Sequence, residues 1–229
     1  MNNEFEIAIE LYDKYKNSYQ SLSNQAKQRK DKKVAWSNTY LDLYPYQHIL
    51  DFNQRSKPKI YSSKPKSIEG IIESWMQDGE VFFAFNAENI EWGASFIIND
   101  NDRKILLKFI QDWDDDIVLH QIFCIMYNGE SIEQILFYLK DVNEDEDDDE
   151  GEDDDEGEEN FIVHKYSYID GKVDLITKDG FYYERSNHLP ASTFRFEYSN
   201  GQVFIYANDL KASGRYEEKL VYNGKEEIP

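Results

Sequence analysis

Residues 144–159 place fourteen carboxylates in sixteen positions, and no compact core can take them in. The hexamer "DDDEGE" occurs there twice in succession, at 147–152 and 153–158. Apolar segments flank the run on both sides, so it must be a surface connection between folded parts. It also marks a change of period. Before it, apolar residues recur mostly at three- and four-residue spacing; after it, they alternate.

The N-terminal side reads as helical. Phe5, Ala8, Tyr12, Tyr15, Tyr19, Leu22 and Ala26 share one face of an expected helix over 4–30. Trp36, Tyr40, Leu43 and Tyr44 suggest a second helix, limited by Pro45. Ser67 looks like an N-cap for a helix carrying Ile68, Ile71, Ile72 and Trp75. Asp78-Gly79 turns the chain, and "EVFFAFN" and "IEWGASFIIN" form an expected β-hairpin. Ile105, Leu106, Phe109, Ile110 and Trp113 then suit a helix. The apolar run 117–127 fits either a strand or a helix; Asp114, Asp115 and Asp116 before it and Asn128-Gly129 after it favour the helix. "SIEQ" at 131–134 fits a capping box for one more.

Beyond the acidic run, "NFIVHKYSYI", "KVDLITK", "FYYERS", "STFRFEYS", "QVFIYAN" and "RYEEKLVYN" read as strands. Asp170-Gly171, Asp179-Gly180 and Asn200-Gly201 read as turns between them. The expected fold is therefore α+β: N-terminal helices with a small hairpin over 1–143, an acidic loop over 144–160, and a C-terminal antiparallel meander over 161–229.

Charge narrows the function. The formal net charge is −21. Residues 1–66 hold 12 Lys+Arg against 7 Asp+Glu, whereas 67–229 hold 13 against 39. Such acidity opposes direct binding to nucleic acid or to an anionic membrane. Fully extended, the run would reach about 50 Å. Its charge spacing approaches the one per about 3.4 Å of a nucleic-acid strand, so it can imitate a phosphate backbone. An idle expansion of a surface loop fits the hexamer duplication equally well. A fold-back of the run onto the basic cluster "KQRKDKK" at 27–33 and Lys57, Lys59, Lys64 and Lys66 is a further reading.

Other chemistry finds little support. Neither Gly151 nor Gly157 sets an EF-hand register that leaves a ligand at position 12. His48, His120, His164 and His188 show no metal-binding spacing, and structural roles are expected for them. The single Cys124 lies in an apolar run, as a buried thiol in a reducing cytoplasm would. No apolar run approaches the roughly 20 residues of a membrane span. No cofactor motif is present. Glu217-Glu218-Lys219, with Asp209 upstream, has only the short E-x-K form of some metal-dependent nucleases.

The expected function is that of a non-enzymatic, cytoplasmic acidic protein that neutralises a basic partner: a toxin, a nuclease or a histone-like protein. In general character the chain looks like small acidic bacterial immunity proteins. The alternatives are an acidic-tract chaperone for basic nucleic-acid-binding proteins, and a hydrolase whose site sequence does not reveal. The candidate contact residues are Asp114, Asp115, Asp116, Glu144, Asp145, Glu146, Asp147, Asp148, Asp149, Glu150, Glu152, Asp153, Asp154, Asp155, Glu156, Glu158 and Glu159.

Overall fold

The computed structural model describes residues 2–51, 54, 56–112, 114–140, 159–182, 188–190, 192–210 and 214–226. The acidic run from 144 to 158 lies outside these residues. Within them, thirteen strands form one antiparallel sheet of order β13-β12-β11-β10-β9-β8-β7-β6-β5-β4-β3-β1-β2. The strands are β1 (Lys33–Ser37), β2 (Ile60–Tyr61), β3 (Ile72–Gln77), β4 (Glu80–Asn86), β5 (Ala94–Asp100), β6 (Arg103–Gln111) and β7 (Ile117–Asn128). They continue with β8 (Ser131–Lys140), β9 (Glu159–Ile169), β10 (Lys172–Phe181), β11 (Ser192–Ser199), β12 (Gln202–Leu210) and β13 (Tyr216–Lys225). Three helices accompany them: α1 (Asn2–Tyr15), α2 (Tyr19–Gln28) and the single turn α3 (Gln47–Leu50).

The C-terminal meander and the β4–β5 hairpin form as the alternation implies, with Phe83 opposite Phe96. Asp78-Gly79, Asp170-Gly171 and Asn200-Gly201 have positive φ at both positions, the geometry of tight hairpin turns.

The expected helices after residue 33 do not form. Trp36 lies in β1, and Ile72 and Trp75 lie in β3. The segments 103–111, 117–128 and 131–140 are the long central strands β6, β7 and β8. Asn128-Gly129 is the corner of a hairpin and not a helix stop. The physical reason is that both sheet faces are covered. In β6, Ile105, Leu107 and Phe109 point to one core while Leu106 joins the other, so the period-2 signal fills in. Bulges blur it further. Lys108 pairs with Gln121 but Phe109 with Leu119, leaving His120 unopposed. Asp179-Gly180 is likewise no turn, because both residues pair within the β9–β10 ladder. Of the expected strand "FYYERS", Phe181 ends β10 and Tyr182 follows it outside any strand, while 183–186 lie outside the described residues.

The front face carries α1 and α2. The expected single helix is broken at 16–18, where the Ser18 hydroxyl donates to the Tyr15 carbonyl oxygen at 2.6 Å. The anticipated stripe still meets the sheet: Ala8 and Ala26 are buried, with Phe5, Tyr12, Tyr15, Tyr19 and Leu22 packed around them, and Leu11, outside that stripe, is buried as well. Phe5 meets Phe161 and Phe181 edge-on, each at 5.3 Å between centroids. Cys124 is buried in this layer, and burial pushes its thiol up to about 11.

The back face is crossed by a strap, residues 38–51, that ends in α3. Tyr44, Tyr46, Ile49 and Leu50 pack there on Phe123, Ile125, Ile135, Ile176, Phe196, Val203 and Ile205. Tyr46 meets Phe196 and Tyr222, so β11 and β13 close around the strap. Among the described residues no helix is long and apolar enough to cross a membrane.

Candidate functional site: the long-loop end of the sheet and the cavity beneath it

From β3 to β13 each strand pairs with its successor, so connections alternate between the two ends of the sheet. At one end every connection is a two-residue corner: 78–79, 101–102, 129–130, 170–171 and 200–201. At the other end all the longer connections leave: 87–93, 112–116, 141–158, 182–191 and 211–215. Loops carried on a rigid sheet are where binding chemistry concentrates.

The candidate acidic residues distribute on this end. Asp114, Asp115 and Asp116 form the exposed β6–β7 connection. Asp112 organises that turn, its Oδ1 accepting from the backbone N–H groups of Asp114 at 3.0 Å and Asp116 at 2.8 Å. These aspartates therefore do not start a helix. Glu159 opens β9 opposite Lys140 and accepts a hydrogen bond from the Tyr138 hydroxyl at 2.6 Å. The run from Glu144 to Glu158 joins these two adjacent strands, β8 and β9, and so leaves the sheet from the same end as Asp114–Asp116. Trp92, 58% exposed, belongs to the β4–β5 connection at this end as well.

Several other candidates disperse. The basic cluster at 27–33 sits at the opposite, short-turn end, where Lys33 pairs with Met76. Arg29 lies over Phe82 and Lys32 over Trp75. Glu217, Glu218 and Lys219 are exposed on edge strand β13, and Glu218 pairs with Arg195 at 2.8 Å.

On the back face, just below the root of the acidic run, the sheet and strap enclose a cavity of about 380 Å³. Cross-strand register builds its floor in three rows. Gln121, Leu139 and Asn160 form the first, nearest the loop end. Phe123, Phe137 and Ile162 form the second, with the two rings edge-on at 4.9 Å. Ile135, His164 and Lys178 form the third. Leu50 and Asp51 of the strap make the roof, and Tyr182 a side.

The polar groups here are deeply placed. His48 Nδ1 lies 2.6 Å from the Asp42 carboxylate, tying the strap to itself. Tyr44 donates its hydroxyl hydrogen to Asp51 Oδ2, and Gln47 also bonds that carboxylate. Burial nevertheless raises Asp51 to about 6. Burial, aided by the charge of Lys178, pushes His164 down to about 3. His164 Nδ1 stands 3.9 Å from Asp51 Oδ1, beyond hydrogen-bond range. Both His164 ring nitrogens lack a hydrogen-bond partner among the described residues. Lys178 makes no ion pair among them either.

Sequence reading missed this site because its members lie in five separate segments. Only His164, which follows the apolar residues Phe161, Ile162 and Val163 on a strand, offered a local signal. Comparisons with protein-family models, curated proteins and solved structures return no match.

Proposed function

We propose that this is a non-enzymatic acidic interaction protein that binds and neutralises a basic protein partner, in the manner of a toxin-immunity protein or nuclease inhibitor. The observation that carries this reading is the convergence of Asp114–Asp116 and the 144–158 run on the one sheet end that holds all the long connections. An excess of carboxylates at one end, outweighing Lys59, Lys140 and Arg215 there, steers a basic partner to that end, and an exposed aromatic such as Trp92 suits the contact that follows. An acidic-tract chaperone is the second reading, favoured by the number of carboxylates between Lys140 and Glu159. The hydrolase reading draws on Asp51 and His164, but among the described residues no serine, threonine or cysteine lines their cavity.

Two variants separate the first two readings. One lacks residues 144–158; the other carries Asp114→Asn, Asp115→Asn and Asp116→Asn. Each is titrated against a basic ribonuclease and against core histones at low and high salt. An inhibitor using the folded end keeps most of its affinity without the run and loses chiefly association rate. It weakens when the three aspartates are neutralised. A chaperone loses binding with the run alone. If neither variant alters binding or its salt dependence, the acidic end is not an interaction surface.

A further inference from the structure

The cavity under the strap holds two groups, Lys178 and His164, whose capacity to donate hydrogen bonds is unused among the described residues. Lys178 presents an ammonium group with no carboxylate within ion-pair distance among the described residues. His164 lies directly opposite it in the β9–β10 register, so the two side chains stand side by side on one sheet face. His164 is 7% exposed with neither ring nitrogen bonded, and a neutral imidazole carries one N–H to give. A buried polar group left without a partner is costly and calls for an explanation.

The acceptor nearby is already engaged. Asp51 takes bonds from Tyr44 and Gln47, and its nearest approach to His164 is 3.9 Å. What is missing is an anion or strong acceptor from outside. Most of the rest of the wall is apolar, from Leu50, Phe123, Ile135, Phe137, Leu139 and Ile162, with Gln121, Asn160 and Tyr182 as its other polar members. A volume of about 380 Å³ falls in the range of small-molecule sites.

We propose that this cavity binds a small organic monocarboxylate with an apolar body, the carboxylate held by Lys178 and His164 and the body resting on Phe123, Phe137 and Ile162. The second floor row offers an edge-on aromatic pair against which a ring or chain can lie. Gln121 and Asn160 bound the loop-end side of the floor. This site is independent of the proposed basic partner, because it uses the back face and none of Asp114–Asp116 or 144–158.

The test uses the full chain and three probes that differ only in their head group: 4-phenylbutyrate, 4-phenylbutanamide and 4-phenylbutylamine. Isothermal titration is expected to show saturable binding of the acid, with the neutral amide about tenfold weaker or more, as loss of a charge-assisted bond implies. The amine is expected to be weakest. In Lys178→Met, which keeps the apolar stem, the acid-to-amide ratio is expected to fall to about one. An NMR titration of the wild-type chain supplies a second readout without mutation: the acid, and not the amine, is expected to shift the His164 ring resonances. Absence of saturable binding by the acid overturns the proposal. So does an amide or amine that binds as tightly, an acid-to-amide ratio unchanged in Lys178→Met, or a His164 signal that ignores the acid.

Discussion

At the scale of single residues, burial sets the behaviour of Asp51 and His164, and it sets them in opposite directions. Asp51 is raised to about 6 from an ordinary value near 3.8. Its contribution to stability is therefore full below pH 4 and lost as pH rises through 6. His164 is lowered to about 3 from 6.5. Its contribution is full above pH 6.5 and lost as pH falls towards 3. Asp51→Asn should thus gain stability relative to wild type between pH 4 and pH 7.5, by up to about 3 kcal/mol from the size of the shift. Urea denaturation at the two pH values measures this; a difference independent of pH would show that Asp51 titrates normally. His164→Leu should remove destabilisation between pH 6.5 and 3. Gly180 is constrained differently. A Cβ there would meet the Phe161 carbonyl oxygen at 2.0 Å and the Ile162 Cα at 2.9 Å. Backbone cannot step aside as a flexible side chain can, so Gly180→Ala should cost on the order of 2–4 kcal/mol in thermal or chemical unfolding.

Among the elements, the strap is the most informative. It has almost no regular structure, yet it supplies the back core. Tyr46 adopts a left-handed backbone at φ 64, uncommon for a bulky residue, and the rings of Phe196 and Tyr222 hold it. Leu50 lines both the Lys178 cavity and a second cavity of about 260 Å³ rich in tyrosine. Leu50→Ala should cost about 2–5 kcal/mol and join these spaces. The joined void should be readable as tighter binding of a larger apolar probe than the wild type accepts. The β8–β9 connection is predicted to behave oppositely. Its roots pair as Lys140 opposite Glu159, so the ladder closes without it. Deleting 144–158 should change the unfolding midpoint little, because loop length enters stability only logarithmically. A large loss would mean that the run packs on the body.

Across the whole molecule, charge follows topology. A meander sends alternate connections to opposite ends, so Asp114–Asp116 and the β8–β9 connection leave from one end while the basic cluster near Lys33 sits at the other, whose corners also carry Asp78, Asp102, Glu130 and Asp170. The protein should carry a large electric dipole along the strands. Under the proposed function, binding of a basic partner should consequently be fast and strongly salt-dependent, with association rate falling more steeply than dissociation rises as salt increases. Stopped-flow measurements at several salt concentrations would show it; equal effects on both rates would not fit an end-loaded field. The same meander leaves β13 and β2 as sheet edges. On β13, Glu217, Glu218 and Lys219 are exposed, a placement of charge that discourages further strand pairing.

Local sequence determined the features whose causes are local. The turn pairs at 78–79, 170–171 and 200–201, the amphipathic stripe from Phe5 to Ala26 and the alternation of β9 to β12 each follow from neighbouring residues. The acidic run declared that it could not enter a core. Tertiary structure decided what local pattern could not. Residues 103–140 are strands because a strap on one face and two helices on the other bury both sides, which erases the alternation that would have marked them. His164 and Lys178 stand side by side because β9 and β10 pair in one particular register, and Asp51 meets His164 because a segment more than a hundred residues earlier crosses that spot. Register and burial are properties of the assembled sheet, so the cavity, unlike the charge run, exists only once the chain has folded.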